Sequence, residues 1–316
     1  MISFIVIGKN EEKNLQDCFD SIGKTIESHN NLNFECIFVD SDSGDNSLQI
    51  ALNHSSVNKV VEVTGEVNSA IARNTGAYYS SGEILFFVDG DMILDPDFLS
   101  VALDLDTENL IYPIVTGDLI NITNGVKSYY YGAKLEEDKY DSKTGGIFII
   151  ERKLWVEQNG MDIRFKRSQD LDFFFNLSLK GKMVLRKKEL ICFHNTAPYH
   201  SQKRIKSSIY NKYSLYSGLL YRKYLFKSHR IIPIIFRRDY TSVLLLFAIL
   251  IPILYNSLFY TIFIYFMIIL VRGLLSEKKI TPNYFLYRII SDFYVLTGFL
   301  FFYPERTKPF KLVVLK

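Results

Sequence analysis

The chain has 316 residues, enough for one large folded domain and a smaller appended segment. Its net charge of +3 conceals a strong asymmetry: residues 1–200 carry 19 basic and 30 acidic side chains, a net of −11, whereas residues 201–240 carry ten basic side chains and one acidic, a net of +9. Only three cysteines occur, without the spacing of a metal site; this count argues against a disulfide framework, and buried thiols in a reducing compartment are expected.

The first part of the chain alternates apolar runs with helical patterns. The apolar runs predict strands at 3–7, 34–39, 60–63 and 84–88, and the patterns between them predict helices from residue 10, over 46–53 and over 68–79. Strands that alternate with helices of this length indicate βαβ units. The predicted fold class is therefore α/β, with a Rossmann-like, mainly parallel sheet flanked by helices.

The fourth predicted strand ends on two carboxylates, Asp89 and Asp91, with Gly90 between them. Because a parallel sheet presents its functional groups at the carboxyl ends of its strands, these side chains are predicted to lie at the rim of a crevice. Two carboxylates there suit a divalent cation that is shared with substrate phosphates. A simple polar turn is the alternative interpretation, since Asp and Gly are common turn residues.

Regularity weakens after a predicted helix start at 95–97. Strands are predicted at 111–116 and 146–150, and the polar, tyrosine-rich stretch between them either lines an acceptor groove or covers the sheet. Two helices follow, over 152–158 and 168–180. With Ser168 as the N-cap, Asp170 and Asp172 fall in the first turn of the second helix, where acidic groups complement the helix dipole. Asp172 precedes apolar residues and is interpreted as a helix anchor, whereas Asp170 is free to face a cleft.

The C-terminal part is strongly apolar. Residues 241–271 contain no charged side chain over 31 positions, more than the ~20 needed to cross a bilayer. A second apolar stretch, 283–303, contains two charged side chains, and basic residues that could contact lipid headgroups flank both stretches. Membrane-embedded helices are therefore predicted, as one pass, two passes or a re-entrant hairpin broken at Pro252 and Asn256. Because this apolar part follows the basic segment, the expected partner of that segment is an anionic membrane surface and not a nucleic acid.

These patterns divide the chain into three segments. Residues 1–200 form a catalytic domain, residues 201–240 a basic interfacial collar, and residues 241–316 membrane-embedded hydrophobic helices with a basic tail. Residues 1–7 lack the basic leader of a signal peptide. The catalytic domain is therefore expected on the cytoplasmic side of the cell membrane.

Five motifs of the first 200 residues resemble, in order and spacing, those of glycosyltransferase family 2. They are Ser3–Ile7 with Asn10-Glu11, Val39–Asp45, Ala72–Gly76, Val88–Asp91, and Asn159–Asp162 through Gln169–Asp172 and Gly181. The chain looks like a membrane-attached bacterial member. The resemblance implies a GT-A fold and transfer of a sugar, with inversion, from a nucleotide-diphosphate sugar to a hydroxyl of a glycan or lipid-linked acceptor, in the biosynthesis of cell-surface polysaccharide or glycolipid.

The resemblance also implies a cofactor and a catalytic base. Mg²⁺ or Mn²⁺ would be bound by Asp91 and by His194, with His200 as a weaker candidate for the same role. Asp170, which follows Asp91 by 79 residues, would be the general base that takes the proton of the acceptor hydroxyl.

Three further residues are implied in donor binding. Asp40 would line the nucleoside pocket, Asp89 would hold the ribose or the donor sugar, and Arg73 would support the nucleotide, unless its ion pair is purely structural. Ser41 stands where the family often has a second aspartate, so the base of the donor is left open.

Two other functions are compatible with the sequence. A polyprenyl-phosphate sugar synthase would use a lipid phosphate as acceptor, which is already ionised and needs no base. A non-catalytic membrane scaffold that retains a decayed sugar-nucleotide fold would bind no nucleotide in a metal-dependent way.

Overall fold

The computed structural model describes residues 1–104, 106–197, 201–255, 258–275 and 282–316. The chain divides into two compact units. The first comprises Met1–Pro198 together with Arg306–Lys316, and the second comprises Tyr199–Glu305. The C-terminal residues thus belong to the same unit as the N-terminus.

The centre of the first unit is the predicted parallel sheet. Its strands are β1 (Ile2–Gly8), β2 (Phe34–Asp40), β3 (Lys59–Gly65) and β4 (Ile84–Asp89), in the spatial order β4-β1-β2-β3. The helices between them are α1 (Leu15–Ser28), α2 (Ser47–Asn53) and α3 (Ser69–Tyr79). Each of these strands is a short, mainly apolar run, as expected where helices cover both faces.

The second half of this unit extends the sheet with strands of mixed direction. Its elements are β5 (Met92–Leu94), α4 (Phe98–Ala102), β6 (Leu103–Asp104), β7 (Asn109–Leu110), β8 (Ile114–Thr123), β9 (Val126–Tyr129), β10 (Lys139–Asp141), β11 (Phe148–Glu151), α5 (Arg152–Glu157), α6 (Gln169–Leu179) and β12 (Val184–Asn195). The order continues as β10-β12-β8-β11-β4, with β11 antiparallel to both of its neighbours. The mixed α/β class is therefore confirmed.

Side chains alternate between two cores on the opposite faces of the sheet. Phe4, Phe38 and Phe86 pack with Phe19 of α1 on one face. On the other, Ile5, Phe87 and Phe148 pack with α3, α5 and α6, where Phe148 meets Phe174 edge-on at 4.9 Å between ring centroids. The strands that end at the acidic residues contribute side chains to both cores. The carboxylates therefore project from a rigid platform.

Helix α1 begins at Leu15 rather than at residue 10. Asn10 has a positive φ of 58°, which ends the regular backbone after β1. The backbone amides of residues 10, 11 and 12 donate to the side chains of Ser43, Ser47 and Asp45, at 2.8–3.1 Å. These bonds tie the segment after β1 to the segment after β2. The three cysteines are buried and unpaired, as predicted.

The second unit is helical. Its helices are α7 (Gln202–Tyr210), α8 (Ser214–Tyr224), α9 (Ile231–Arg238), α10 (Tyr240–Tyr255), α11 (Leu258–Leu275) and α12 (Pro282–Leu300). Helices α8 and α12 cross closely enough that a Cβ on Gly218 would lie 2.0 Å from the carbonyl oxygen of Val295. Small residues therefore set this crossing.

The prediction of membrane-spanning helices is not confirmed. Across the described ranges, no helix combines the length and the apolar character that crossing a membrane requires. The uncharged stretch 241–271 is divided into α10 and α11, of 16 and 18 residues, and the second apolar stretch coincides with α12, whose Arg288 and Asp292 form a buried ion pair. Of the two proposed positions of a hairpin break, Pro252 lies inside α10, and Asn256 lies outside the described residues.

The last strand was not anticipated. Residues Phe310–Val314 form β13, which pairs antiparallel with β3 and closes that edge of the sheet. The predicted basic tail is thus, in part, a sheet strand of the first unit.

Candidate active site

Asp40 ends strand β2 and is fully buried. Its Oδ2 accepts a hydrogen bond from the backbone amide of Ser43 at 2.8 Å, which closes the turn after the strand. Its Oδ1 is buried and has no hydrogen-bond partner among the described residues. A buried carboxylate oxygen without a donor is costly, so this atom is a candidate for contact with a bound ligand.

Asp89 and Arg73 form an ion pair at the end of β4. The guanidinium lies 2.6 Å from Asp89 Oδ1, and the same nitrogen donates to the carbonyl of Gly146 at 3.1 Å. Burial raises the pKa of Asp89, and Arg73 opposes that shift. Gly146 has a φ of +92°, and a Cβ there would lie 3.1 Å from Asp89 Oδ2, so the glycine lets this loop approach the carboxylate.

Asp91 faces His194. Asp91 Oδ2 and His194 Nε2 are 3.2 Å apart, and the backbone amide of Asn195 donates to the Asp91 carbonyl at 2.9 Å. On the other side of the ring, Nδ1 lies 2.9 Å from Asn121 Oδ1. Because an amide oxygen only accepts, Nδ1 carries a proton, and Nε2 is directed at Asp91. Strands β8 and β12 hold Asn121 and His194 opposite each other in register.

Asp170 occupies the first turn of α6, as predicted. Ser168 is at the N-cap position, but its φ of +62° is left-handed and its side chain makes no capping hydrogen bond. Asp170 is partly exposed, whereas Asp172 is buried. The charge of Asp170 contributes to raising the pKa of Asp89, so the two carboxylates share one electrostatic environment.

Glu11 is a further member of this site, although neither the predicted helix start nor the motif that contains it indicated a role for its side chain. A Cβ on Gly90 would lie 3.4 Å from Glu11 Cγ, so the side chain packs against the loop between Asp89 and Asp91. Burial and the charge of Asp91 raise the pKa of Glu11 to about 7, against the opposing hydrogen bond from Asn14. The sequence feature that could have identified Glu11 as a site residue is its position directly after β1, at the same edge of the sheet as Asp89.

The pair Asp91 and His194 fits a divalent cation. Adjacent ligands in an octahedron with metal–ligand distances of ~2.1 Å are ~3 Å apart, near the observed 3.2 Å. Within the described part of the chain, no three His, Cys, Asp or Glu side chains are grouped to bind a metal ion. A cation here would therefore take most of its ligands from substrate oxygens and water, as Mg²⁺ commonly does. The weaker candidate, His200, lies outside the described residues.

Comparison with solved structures identifies the fold. The chain is similar to residues 1–349 of S. aureus TarS, a structure described in complex with UDP-GlcNAc, with a TM-score of 0.55, 16% identity and coverage of 94% of this chain and 90% of TarS 1–349. It is also similar to the mannosyltransferase PcManGT of Pyrobaculum calidifontis, described in complex with GDP-Man and Mn²⁺, with a TM-score of 0.57, 17% identity and coverage of 94% and 85%. At these identities the likeness establishes the mixed α/β, GT-A-like fold alone.

Sequence comparison identifies the family. The chain is 29% identical over 147 residues to the glycosyltransferase AglE of Haloferax volcanii, and the match spans 45% of each protein. The model of "Glycosyl transferase family 2" matches residues 3–166, which include Asp40, Arg73, Asp89 and Asp91. That match extends over more than half of the chain, so this protein belongs to glycosyl transferase family 2.

Proposed function

We propose that the chain transfers a sugar, with inversion, from a nucleotide-diphosphate sugar to a hydroxyl of a glycan or lipid-linked acceptor, as a step in making a cell-surface polysaccharide or glycolipid. One observation carries the proposal: in a family 2 chain, the ends of β1, β2 and β4 bring several acidic side chains to one edge of the sheet, where Arg73 and His194 meet them. That TarS and PcManGT were solved with UDP-GlcNAc and GDP-Man supports the donor class and leaves its base open.

The donor side of the site follows from three side chains. Asp40 offers its unpartnered Oδ1 to the nucleoside. Asp89 accepts from hydroxyls of the ribose or donor sugar, and its ion pair with Arg73 holds the carboxylate in one orientation. Arg73 is buried, so it acts on the donor mainly by keeping Asp89 ionised and in place.

The leaving group needs positive charge nearby, whereas the acceptor hydroxyl needs a base that takes its proton. Asp91 and His194 would hold Mg²⁺ or Mn²⁺, which supplies positive charge to the departing nucleoside diphosphate. Asp170 takes the proton from the acceptor hydroxyl as that oxygen attacks the sugar, a contribution of ~10²–10⁴-fold to the rate. Its position on a different element from the other acids suits an acceptor that approaches from the side opposite the leaving group.

A membrane surface is the proposed location, with the first unit in the cytoplasm. Phe247, Phe259 and Phe263 of α10 and α11 are each more than half exposed, and residues 201–240 carry the net charge of +9. Exposed aromatic groups beside cationic groups suit an anionic lipid surface. We expect the full chain to sediment with vesicles that contain phosphatidylglycerol, less so at high salt. Failure to bind them at low salt would contradict this location.

A nucleotide panel tests the proposed activity. We expect one of UDP, GDP and dTDP, with Mn²⁺, to stabilise the folded protein in a thermal-shift assay. A nucleotide at 100 times its dissociation constant raises the free energy of unfolding by about 2.7 kcal/mol. The Asp91→Asn variant should lose the Mn²⁺-dependent part of the shift. A wild-type protein that none of these nucleotides stabilises would instead support the non-catalytic scaffold.

A further inference from the structure

A cavity of about 570 Å³ lies beside β8, outside the residues assigned above, and its lining combines charged and apolar side chains. Asp118 and Ile120 of β8 form its floor, Tyr129 of β9 forms one side, and the segments 134–136 and 188–190 complete the wall. Its volume is within the ~300–1,000 Å³ of ligand pockets.

The cavity is level with the proposed donor site. Ile149 of β11 pairs with Phe86 of β4 on one side and with Val115 of β8 on the other. Because β4 and β8 run in the same direction, Asp89 and Asp118 are each three residues beyond these pairs and lie at the same height. Two strand spacings separate them, about 10 Å.

The β8 side chains of the cavity also lie on the same face of the sheet as Asp89. Phe87 and Ile114 pack in one core with Phe173 and Phe174 of α6. Side chains alternate along a strand, so Asp89 follows Phe87 onto that face, and Asp118 and Ile120 follow Ile114. The helix that carries Asp170 covers the same face.

The floor of the cavity is held rigidly. Asp118 is buried and accepts hydrogen bonds from the Arg186 guanidinium at 2.6 Å and from the backbone amide of Leu135 at 3.0 Å. The Arg186 guanidinium lies over the ring of Tyr131, 3.3 Å from its centroid.

The loop that forms one wall is tied to β12. Asp138 accepts from the Lys187 ammonium and from the backbone amide of Lys188, at 2.5 and 2.9 Å. A cavity whose walls are fixed before a ligand arrives loses less entropy on binding.

The lining matches the chemistry of a sugar. The Lys134 and Lys188 ammonium groups are balanced by the Glu136 and Glu189 carboxylates, so no single charge is selected. Glu189 Oε2 is buried and has no hydrogen-bond partner among the described residues, which leaves an acceptor for a ligand hydroxyl.

We propose that this cavity is a saccharide subsite that binds the neutral glycan portion of the acceptor, with Tyr129 and Glu189 as its specificity-determining residues. The inference rests on the proposed transfer reaction and names the acceptor class. A glycan with one sugar in the cavity would direct its next sugar unit toward Asp89, which is about 10 Å from Asp118.

The test uses the full chain and linear trisaccharides of glucose, mannose, galactose and N-acetylglucosamine as probes. Saturation-transfer NMR measures binding, and mass spectrometry measures transfer from the donor that the nucleotide panel identifies. We expect at least one trisaccharide to bind and to be extended. Tyr129→Ala and Glu189→Ala should each raise the acceptor KM about tenfold, because each removes a side chain that would contact the sugar, and nucleotide affinity should be unchanged. Tyr78→Ala and Glu157→Ala, at exposed positions of α3 and α5, are the matched controls.

The outcomes separate the two proposals. Unchanged acceptor KM in both cavity variants would overturn the saccharide subsite while leaving the transfer reaction in place. A wild-type chain that binds nucleotide but neither binds nor extends any of the trisaccharides would overturn it as well. Absence of nucleotide binding would count against the proposed function itself.

Discussion

Asn121 acts on the site through His194, because its amide oxygen fixes which ring nitrogen carries the proton. We expect Asn121→Ala to weaken Mn²⁺ binding in the presence of a nucleoside diphosphate by about 10–100-fold, the usual effect of removing a group that orients a metal ligand. Calorimetric titration with Mn²⁺ measures this directly. Asn121→Asp keeps an acceptor at the same place and should retain most of the affinity. Equal affinity in the Ala variant and the wild type would show that His194 needs no such support.

Asp170 distinguishes a hydroxyl acceptor from a phosphate acceptor. If it removes the proton of a hydroxyl, Asp170→Asn should lower kcat by about 10²–10⁴-fold. Nucleotide affinity should not change, because Asp170 belongs to α6 and not to the strand ends that hold the donor. Steady-state kinetics and a nucleotide titration of the same variant make the comparison. Near-normal turnover would favour a polyprenyl-phosphate sugar synthase, whose acceptor is already ionised.

Glu11 makes the free energy of unfolding of the metal-free protein depend on pH. Its pKa is about 7 in the folded state and near 4.5 when unfolded, so between these values the folded state holds the extra proton and the free energy of unfolding falls as pH rises. Glu11→Gln removes this term and can still accept from Asn14.

We expect the Glu11→Gln variant to match the wild type near pH 4.5. At pH 8 it should be more stable by about 1 kcal/mol, a figure reduced because the side chain is partly exposed. Urea unfolding of both proteins in chelator, at both pH values, measures the difference. A stability difference independent of pH would contradict the assignment.

At the scale of elements, α3 lies unusually close to the sheet. A Cβ on Gly76 would be 2.2 Å from Ile5 Cγ2 and 3.3 Å from Val39 Cγ2. Gly76→Ala should therefore lower the free energy of unfolding by about 1–3 kcal/mol, although alanine favours helix by ~1 kcal/mol. Denaturant unfolding of the variant, compared with Gly44→Ala at a position with no heavy atom within 4 Å, measures the effect. A Gly76→Ala protein as stable as the control would mean that the helix can shift outward.

The elements differ in how far they could be predicted. Strands β1 to β4 were located because each is an apolar run between helical patterns. Strand β11 was found, but not its antiparallel direction, since direction depends on partners far away in sequence. Strand β12 is mixed in composition, and its first half is rich in charged residues, so no single apolar run marks it in the sequence. The acids at the strand ends were named from their positions, whereas Asn121 has no local pattern and is identified only by its place opposite His194.

At the scale of the whole molecule, the charged residues of α12, Arg288 and Asp292, have partners within the helical unit. Arg288 pairs with Asp292 one turn later and with Asp239, at 3.1 Å, before α10. The hydroxyl of Tyr265 donates to Asp292 at 3.0 Å. A local hydropathy pattern treats these charges as interruptions, because the residues that neutralise them are tens of positions apart. The network therefore explains how a strongly apolar segment accommodates charge.

The C-terminal residues stabilise the first unit as a sheet edge. Strand β13 pairs with β3 from Phe310 opposite Gly65 to Val314 opposite Val61, and Lys316 Nζ donates to two carbonyls at the end of α2. Ending the chain at Glu305 would leave β3 with one unpaired side. We expect faster hydrogen exchange at the β3 amides and a lower Tm, by about 2–4 °C for each kcal/mol lost. Leu312→Ala keeps the backbone pairing and is the control. The amides of β4, at the sheet centre, should stay protected in both chains and serve as the internal reference. Unchanged exchange at the β3 amides in the truncated chain would show that pairing with β2 alone protects this strand.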